Sequence, residues 1–204
     1  MVCLDLEGVL VPEMWQAVAK ATGIAELERT TRDEPDYDVL MRYRLNVADQ
    51  HDLRLDAIQA VIQTLDPLPG ATAFLERLRS QVPVVILSDT FVELAQPLMV
   101  KLGSPLMMCH KLEVDAEGRI RNYHLRQSNP KGKAVAAFQS LNYQVIAAGD
   151  SYNDLSMLKT ADHGIFFCPP ETLAKEQPRL PVVRDYTALH SAIQKYSELN
   201  GRDS

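Results

Sequence analysis

Val2-Cys3-Leu4-Asp5-Leu6-Glu7-Gly8-Val9-Leu10-Val11-Pro12-Glu13 opens with three apolar residues that run straight into a carboxylate. A short apolar run with no polar alternation suits a strand covered on both faces of a parallel sheet. Asp5 stands where that strand is expected to stop. Asp5 and Glu7 are two apart, so on an extended backbone they point to one side, about 6.6 Å apart, with Leu6 turned away. Two carboxylates so placed can divide the labour between nucleophile and general acid/base.

Moving outward, further apolar runs predict strands over Val82–Leu87, Val145–Ala148, Ile165–Phe167 and the short Val182–Val183. Helical periodicity lies between them, over Phe91–Leu102 with Pro97 expected to bend or shorten it, Gly132–Leu141 and Tyr186–Leu199. Alternating strands and helices predict an α/β fold, a Rossmann-like parallel sheet flanked by helices with right-handed crossovers. From Asp5 to Ser88 the chain is far longer than the roughly 30 residues a βαβ unit needs. The excess reads as helices over Pro12–Thr22, Tyr37–Gln50 and Leu55–Leu65, with Pro67, Pro69 and Gly70 marking the return. Residues 13–68 are therefore expected to form a small helical cap inserted after the first strand. Residues 1–12 and 69–204 would form the α/β core. Lys111–Val114 and Arg119–Leu125 flank Asp115-Ala116-Glu117-Gly118 and predict a hairpin.

Three predicted strands end on polar clusters: Asp5; Ser88-Asp89-Thr90; and Gly149-Asp150-Ser151-Tyr152-Asn153-Asp154. Ligands of open α/β sheets bind outside the carboxyl ends of the strands, so the clusters should converge. Asp150 adds oxygen ligands of the kind Mg²⁺ takes. Arg44 follows Met41 by three and Leu40 by four, a fixed cation on an otherwise apolar helix face, and arginine suits bidentate recognition of a carboxylate. Glu13, in the first turn of a helix, offers a partner for an ammonium group.

Composition excludes other classes. The 204 residues are 46% hydrophobic and 24% charged, ordinary for a globular chain. The net charge is -6 with no basic stripe, which argues against a nucleic-acid partner. Charges interrupt every apolar run well short of about 18 residues, so no membrane span is expected. Three widely spaced cysteines predict reduced thiols in a cytoplasm, and an N-terminus without a positive segment does not read as a signal peptide. There is no G-x-x-x-x-G-K-[ST], which argues against an ATP-dependent kinase.

Asp5-Leu6-Glu7-Gly8-Val9, Ser88-Asp89-Thr90 and Gly149–Asp154 resemble the first, second and fourth motifs of the haloacid dehalogenase-like superfamily. The chain is similar to its phosphoserine phosphatases, and to the bifunctional group that also moves phosphate from phosphoserine to homoserine. Asp5–Glu13 is the most specific part of that likeness. Two residues depart from the superfamily pattern: Glu7 stands where Asp is usual, and Val9 where Thr is usual. The resemblance implies that Asp5 attacks phosphorus to form an aspartyl-phosphate, and that Glu7 acts as acid and then base. It implies Mg²⁺ held by Asp5, the backbone carbonyl of Glu7 and Asp150, with Asp154 behind them. Lys131 shares a face with Ala134, Val135 and Phe138 and matches the family lysine. The resemblance also sets Glu13, Met41 and Arg44 around the substrate. Ser88, Asp89, Lys131 and Asn153 complete the substrate-binding set, with Thr90 supporting it. The expected activity is a Mg²⁺-dependent phosphoserine phosphatase with possible transfer to homoserine. The alternatives are a phosphatase of another small phosphate ester and a non-catalytic binding module on the same fold. A dehalogenase would need neither Glu7 nor Asp150. The sequence leaves the oligomeric state open.

Overall fold

The apolar runs become the middle of a seven-stranded sheet in a computed structural model that describes residues 1–199 apart from 31, 32 and 35. The strands are β1 (Val2–Leu4), β2 (Val84–Phe91), β3 (Met107–Val114), β4 (Ile120–His124), β5 (Ile146–Gly149), β6 (His163–Phe167) and β7 (Val182–Val183). Their spatial order is β4-β3-β2-β1-β5-β6-β7. All pairs are parallel except β3 with β4. The expected α/β fold is present. Successive strands build outward from β1 to one side, then from β5 to the other. The order therefore reverses between β1 and β5, where an open α/β sheet leaves its crevice.

The runs lack polar alternation because both faces are covered. Val2, Leu4, Ile86, Ile146 and Ile165 pack into one apolar cluster, while Cys3, Val85, Ala147 and Phe166 pack into another. The second face is covered by α6 (Pro130–Ser140), α7 (Leu155–Thr160) and α8 (Glu171–Glu176). The first is covered by α4 (Ala71–Arg79), α5 (Val92–Lys101) and α9 (Tyr186–Leu199). The long first connection holds α1 (Met14–Thr22), α2 (Tyr37–Gln50) and α3 (Leu55–Gln63), plus a 3₁₀ turn at Ala25–Glu28. Helix α1 ends at Gly23, whose φ of 74° is the left-handed stop expected there. The side chain of Asp36 caps α2 by accepting from the N–H of Asp38 and Val39. No described helix is long and apolar enough to cross a membrane.

Three expectations change. The second strand does not stop at Ser88: it runs through Ser88-Asp89-Thr90 to Phe91, with a register shift against β3 between Leu87 and Phe91. The predicted hairpin forms, but its first arm is the far end of a longer strand that begins at Met107 and pairs parallel with β2. Pro97 does not shorten α5, which runs on to Lys101. The carbonyl of Glu93, four residues before Pro97, accepts instead from Gln59 Nε2 of α3 at 2.7 Å.

Candidate active site

Asp5 leaves β1 beside the sheet's reversal point, and its N–H bonds the carbonyl of Ala148 on β5 at 2.9 Å. That pairing sets the end of β1 against the loop after β5, where Asp150 stands. The turn after Asp5 needs Gly8. Its φ is 77°, and a Cβ there would lie 2.5 Å from Asp150 Oδ2. Gly149 is needed for a similar reason, since a Cβ would lie 2.4 Å from Cγ of Asp154.

Asp5, Asp150 and Asp154 are buried, and each offers an oxygen within 4.8 Å of the others. Lys131 reaches this group from the start of α6. It is 2% exposed, and its Nζ donates to Asp5 Oδ1 at 2.8 Å and Asp154 Oδ1 at 2.6 Å. The other oxygen of Asp154 accepts from the N–H groups of Asp150 and Ser151. Asp154 is thus committed on both oxygens and orders the loop. Burial and the neighbouring charges of Asp154 and Asp150 push the Asp5 carboxyl well above the carboxylate range, against the pull of Lys131. Although burial opposes them, Asp154, Asp5 and Asp89 hold Lys131 well above its ordinary value. One ammonium does not balance this set. Asp5 and Asp150 both face the cavity, and a divalent cation with hard oxygen ligands fits such a pair.

The cavity above them measures about 250 Å³. Asp5, Glu7, Glu13, Arg44, Ser88, Asp89, Thr90, Asp150 and Asn153 all line it, so the structure brings these expected residues together. Lys131 and Asp154 do not line it; Lys131 borders a neighbouring cavity. Glu7 accepts from the N–H of Met14, at the start of α1, at 2.8 Å. Burial and the charge of Glu13 push its carboxyl up to about 7. Arg44 is 7% exposed, with its guanidinium 5.2 Å from the centre of the Trp15 ring. Its Nη2 donates to the carbonyl of Arg29 at 2.6 Å, and its Nη1 approaches the sulfur of Met41 at 3.9 Å. Met41 therefore lies against Arg44 and does not line the cavity. Among the described residues, Nε of Arg44 has no hydrogen-bond partner.

Trp15 packs in the apolar cluster and also walls the cavity. Tyr37 was not anticipated. Its hydroxyl donates to the carbonyl of Asp89 at 2.5 Å and ties α2 to β2. An aromatic at the head of a helix carries no sequence signal for such a contact. Tyr37, Asp89 and Asn153 also border a second, more open cavity of about 720 Å³.

A family model described as haloacid dehalogenase-like hydrolase matches residues 1–162. The chain is 56% identical to Phosphoserine phosphatase ThrH of Pseudomonas aeruginosa over 195 residues, covering 96% of this chain and 95% of that protein. It is 54% identical to a phosphoserine phosphatase of Pseudomonas syringae pv. tomato, covering 96% and 82%. A solved phosphoserine phosphatase, captured as a phospho-aspartyl intermediate analogue, superposes with a TM-score of 0.76 at 20% identity and covers 94% of this chain and 97% of its own. That last likeness is one of fold. With both the family model and the relatives spanning most of its length, the chain belongs to the haloacid dehalogenase-like hydrolases.

Proposed function

We propose that this chain is a Mg²⁺-dependent phosphoserine phosphatase that also transfers the phosphoryl group from phosphoserine to homoserine. The observation that carries this reading is Arg44, a nearly buried guanidinium with an unpartnered Nε–H, set across a 250 Å³ cavity from Asp5. A buried N–H without a partner costs free energy unless a ligand supplies one. Phosphoserine carries a carboxylate for Arg44, an ammonium for Glu13 and a phosphate for Lys131. The curated relatives named above support the same substrate.

In this reading residues 13–68 are the cap that reads the amino-acid end, and residues 1–12 and 69–204 are the core that holds the phosphate. A carboxylate oxygen of Asp5 attacks phosphorus while the bond from phosphorus to the serine oxygen breaks. Glu7 gives its proton to that leaving oxygen, for which a carboxyl near neutrality is suited. Serine leaves and an aspartyl-phosphate remains. Glu7 then takes a proton from the next hydroxyl, whose oxygen displaces Asp5 from phosphorus. Water gives inorganic phosphate. Homoserine, with the same ammonium and carboxylate and one more methylene, gives O-phosphohomoserine. Ser88, Asp89 and Asn153 line the phosphate's end of the cavity, while Asp154 fixes Lys131. Asp5, Asp150 and the carbonyl of Glu7 would hold Mg²⁺, which supplies charge neutralisation for the phosphoryl oxygens.

The test is a phosphate-ester panel with Mg²⁺, run with and without homoserine. Phosphoserine should be the preferred ester. Homoserine should divert phosphate from the inorganic pool into O-phosphohomoserine. Phosphate release that stays stoichiometric with serine at saturating homoserine would remove the transferase arm. No preference for phosphoserine over an aryl phosphate would remove the substrate.

A further inference from the structure

His110 is a buried titratable side chain that the mechanism above does not use. It lies on β3 opposite Phe91 of β2 and is 2% exposed. Its Nδ1 accepts from the backbone N–H of Arg126 at 3.1 Å, so that nitrogen carries no proton. The ring proton is therefore on Nε2, the nitrogen that faces Asp89 Oδ1 at 3.7 Å. The rings of Tyr37 and Phe91, with centroids 6.5 Å and 6.2 Å away, flank the imidazole.

The other carboxylate oxygen of Asp89 accepts from Asn153 Nδ2 at 2.9 Å and lies 3.5 Å from Lys131 Nζ. The Lys131 ammonium has three N–H groups. Two are committed, to Asp5 and Asp154. The third is the one a phosphoryl oxygen can take, and Asp89 is the carboxylate placed to compete for it. We propose that His110 is a positioning residue which, with Asn153, holds Asp89 back from Lys131 and so keeps the third ammonium N–H for the phosphoryl group. The proposal rests on the phosphatase reading. His110 acts through Asp89 and touches no reacting atom. Without the Nε2–H dipole, the attraction between carboxylate and ammonium draws Asp89 onto Lys131, since charge-assisted hydrogen bonds in a buried site are strong. Arg44 would govern only substrates with a carboxylate, whereas His110 should govern every phosphate alike.

The experiment compares wild type, His110→Asn and His110→Gln. Asn puts an acceptor near the place of Nδ1 and nothing near Nε2. Gln puts an N–H near Nε2. The readouts are KM for phosphoserine and for p-nitrophenyl phosphate, and the Kd of inorganic phosphate by calorimetry in Mg²⁺, with thermal melts as the folding control. His110→Asn should weaken all three by about tenfold, and His110→Gln should stay within about twofold of wild type. In an Asp89→Asn background, His110→Asn should cost nothing further. Unchanged values in His110→Asn, or a loss that persists without the Asp89 carboxylate, would overturn the proposal. So would a defect in His110→Gln alone, since the ring would then serve only the N–H of Arg126. Calorimetry needs no turnover, so a failed phosphatase reading shows as absent hydrolysis by wild type and a failed positioning role as an unchanged Kd. Should both variants melt below the assay temperature, ¹⁵N spectra of the wild-type ring decide. A proton on Nδ1, or ring shifts indifferent to phosphate, would overturn the assignment.

Discussion

Asp5 is crowded by like charges. Burial, Asp154 and Asp150 all disfavour the carboxylate, and Lys131 alone among its close partners favours it. A group whose acid form is favoured in the folded protein destabilises the fold when ionised, so a neutral isostere removes a repulsion. Asp5→Asn should therefore abolish turnover and the hydroxylamine-labile phosphoenzyme, yet melt in metal-free buffer no lower than wild type. Melting several degrees below wild type would show that the Asp5–Lys131 pair stabilises more than the crowding costs, and residual near-wild-type turnover would rule out the covalent step. Arg44 supplies a second prediction. Arg44→Ala should raise KM for phosphoserine by roughly 10- to 150-fold, the range for losing a hydrogen bond to a charged group, and should hardly change KM for an ester without a carboxylate. Equal losses on both esters would remove Arg44 as the carboxylate reader. At this scale the site was legible in the sequence wherever a residue's chemistry was unusual for its place. A carboxylate at a strand end and an arginine on an apolar helix face stand out against their surroundings. His110 and Tyr37 do not, because their importance comes from contacts that exist once β3 pairs with β2 and α2 meets β2.

Strands and helices show where such reading stops. Continuous apolar runs marked β1 and β5 because both of their faces are buried. β3 was hidden: Met107 and Met108 are half-buried, and the polar residues further along pair with β4 in the hairpin. Polar residues usually end a buried strand, whereas Ser88-Asp89-Thr90 stays in β2 and walls the cavity. The tolerance of α5 for Pro97 is not legible in the sequence, because the donor that replaces its missing N–H, Gln59, lies on another helix. Glycines make the clearest test of how elements support the site. On β6, a Cβ at Gly164 would lie 2.2 Å from the carbonyl oxygen of Leu158, a backbone atom of α7 that cannot swing aside. Gly164→Ala should cost about 1–3 kcal/mol, the usual range for overpacking. At about 2–4 °C per kcal/mol for a chain of this size, Tm should fall by roughly 2–12 °C with KM unchanged. An unshifted melting curve would show that α7 yields freely.

Across the whole molecule, the net charge of -6 is repulsive to a phosphate monoester, so in the proposed reading attraction has to be local, from Lys131, Arg44 and a divalent cation. Removing divalent metal with a chelator should abolish hydrolysis, and Mg²⁺ added back should restore it and raise Tm, because an ion that binds the folded state alone stabilises it. Full activity in excess chelator would show that Asp5 and Asp150 hold no catalytic ion. The order of the strands also bears on synthesis. Val2 lies between Val84 and Ile146, so β1, the strand that leads into Asp5, is the central one and its second neighbour is far downstream. At about 5–20 residues per second, a ribosome needs roughly 7–30 s between making the two. For that time the nascent chain carries an apolar segment with at least one bare edge, the kind of exposure that chaperones recognise and that invites aggregation. A ribosome stalled before Ile146 should therefore hold a protease-sensitive chain, and one stalled well past Phe167 a resistant one.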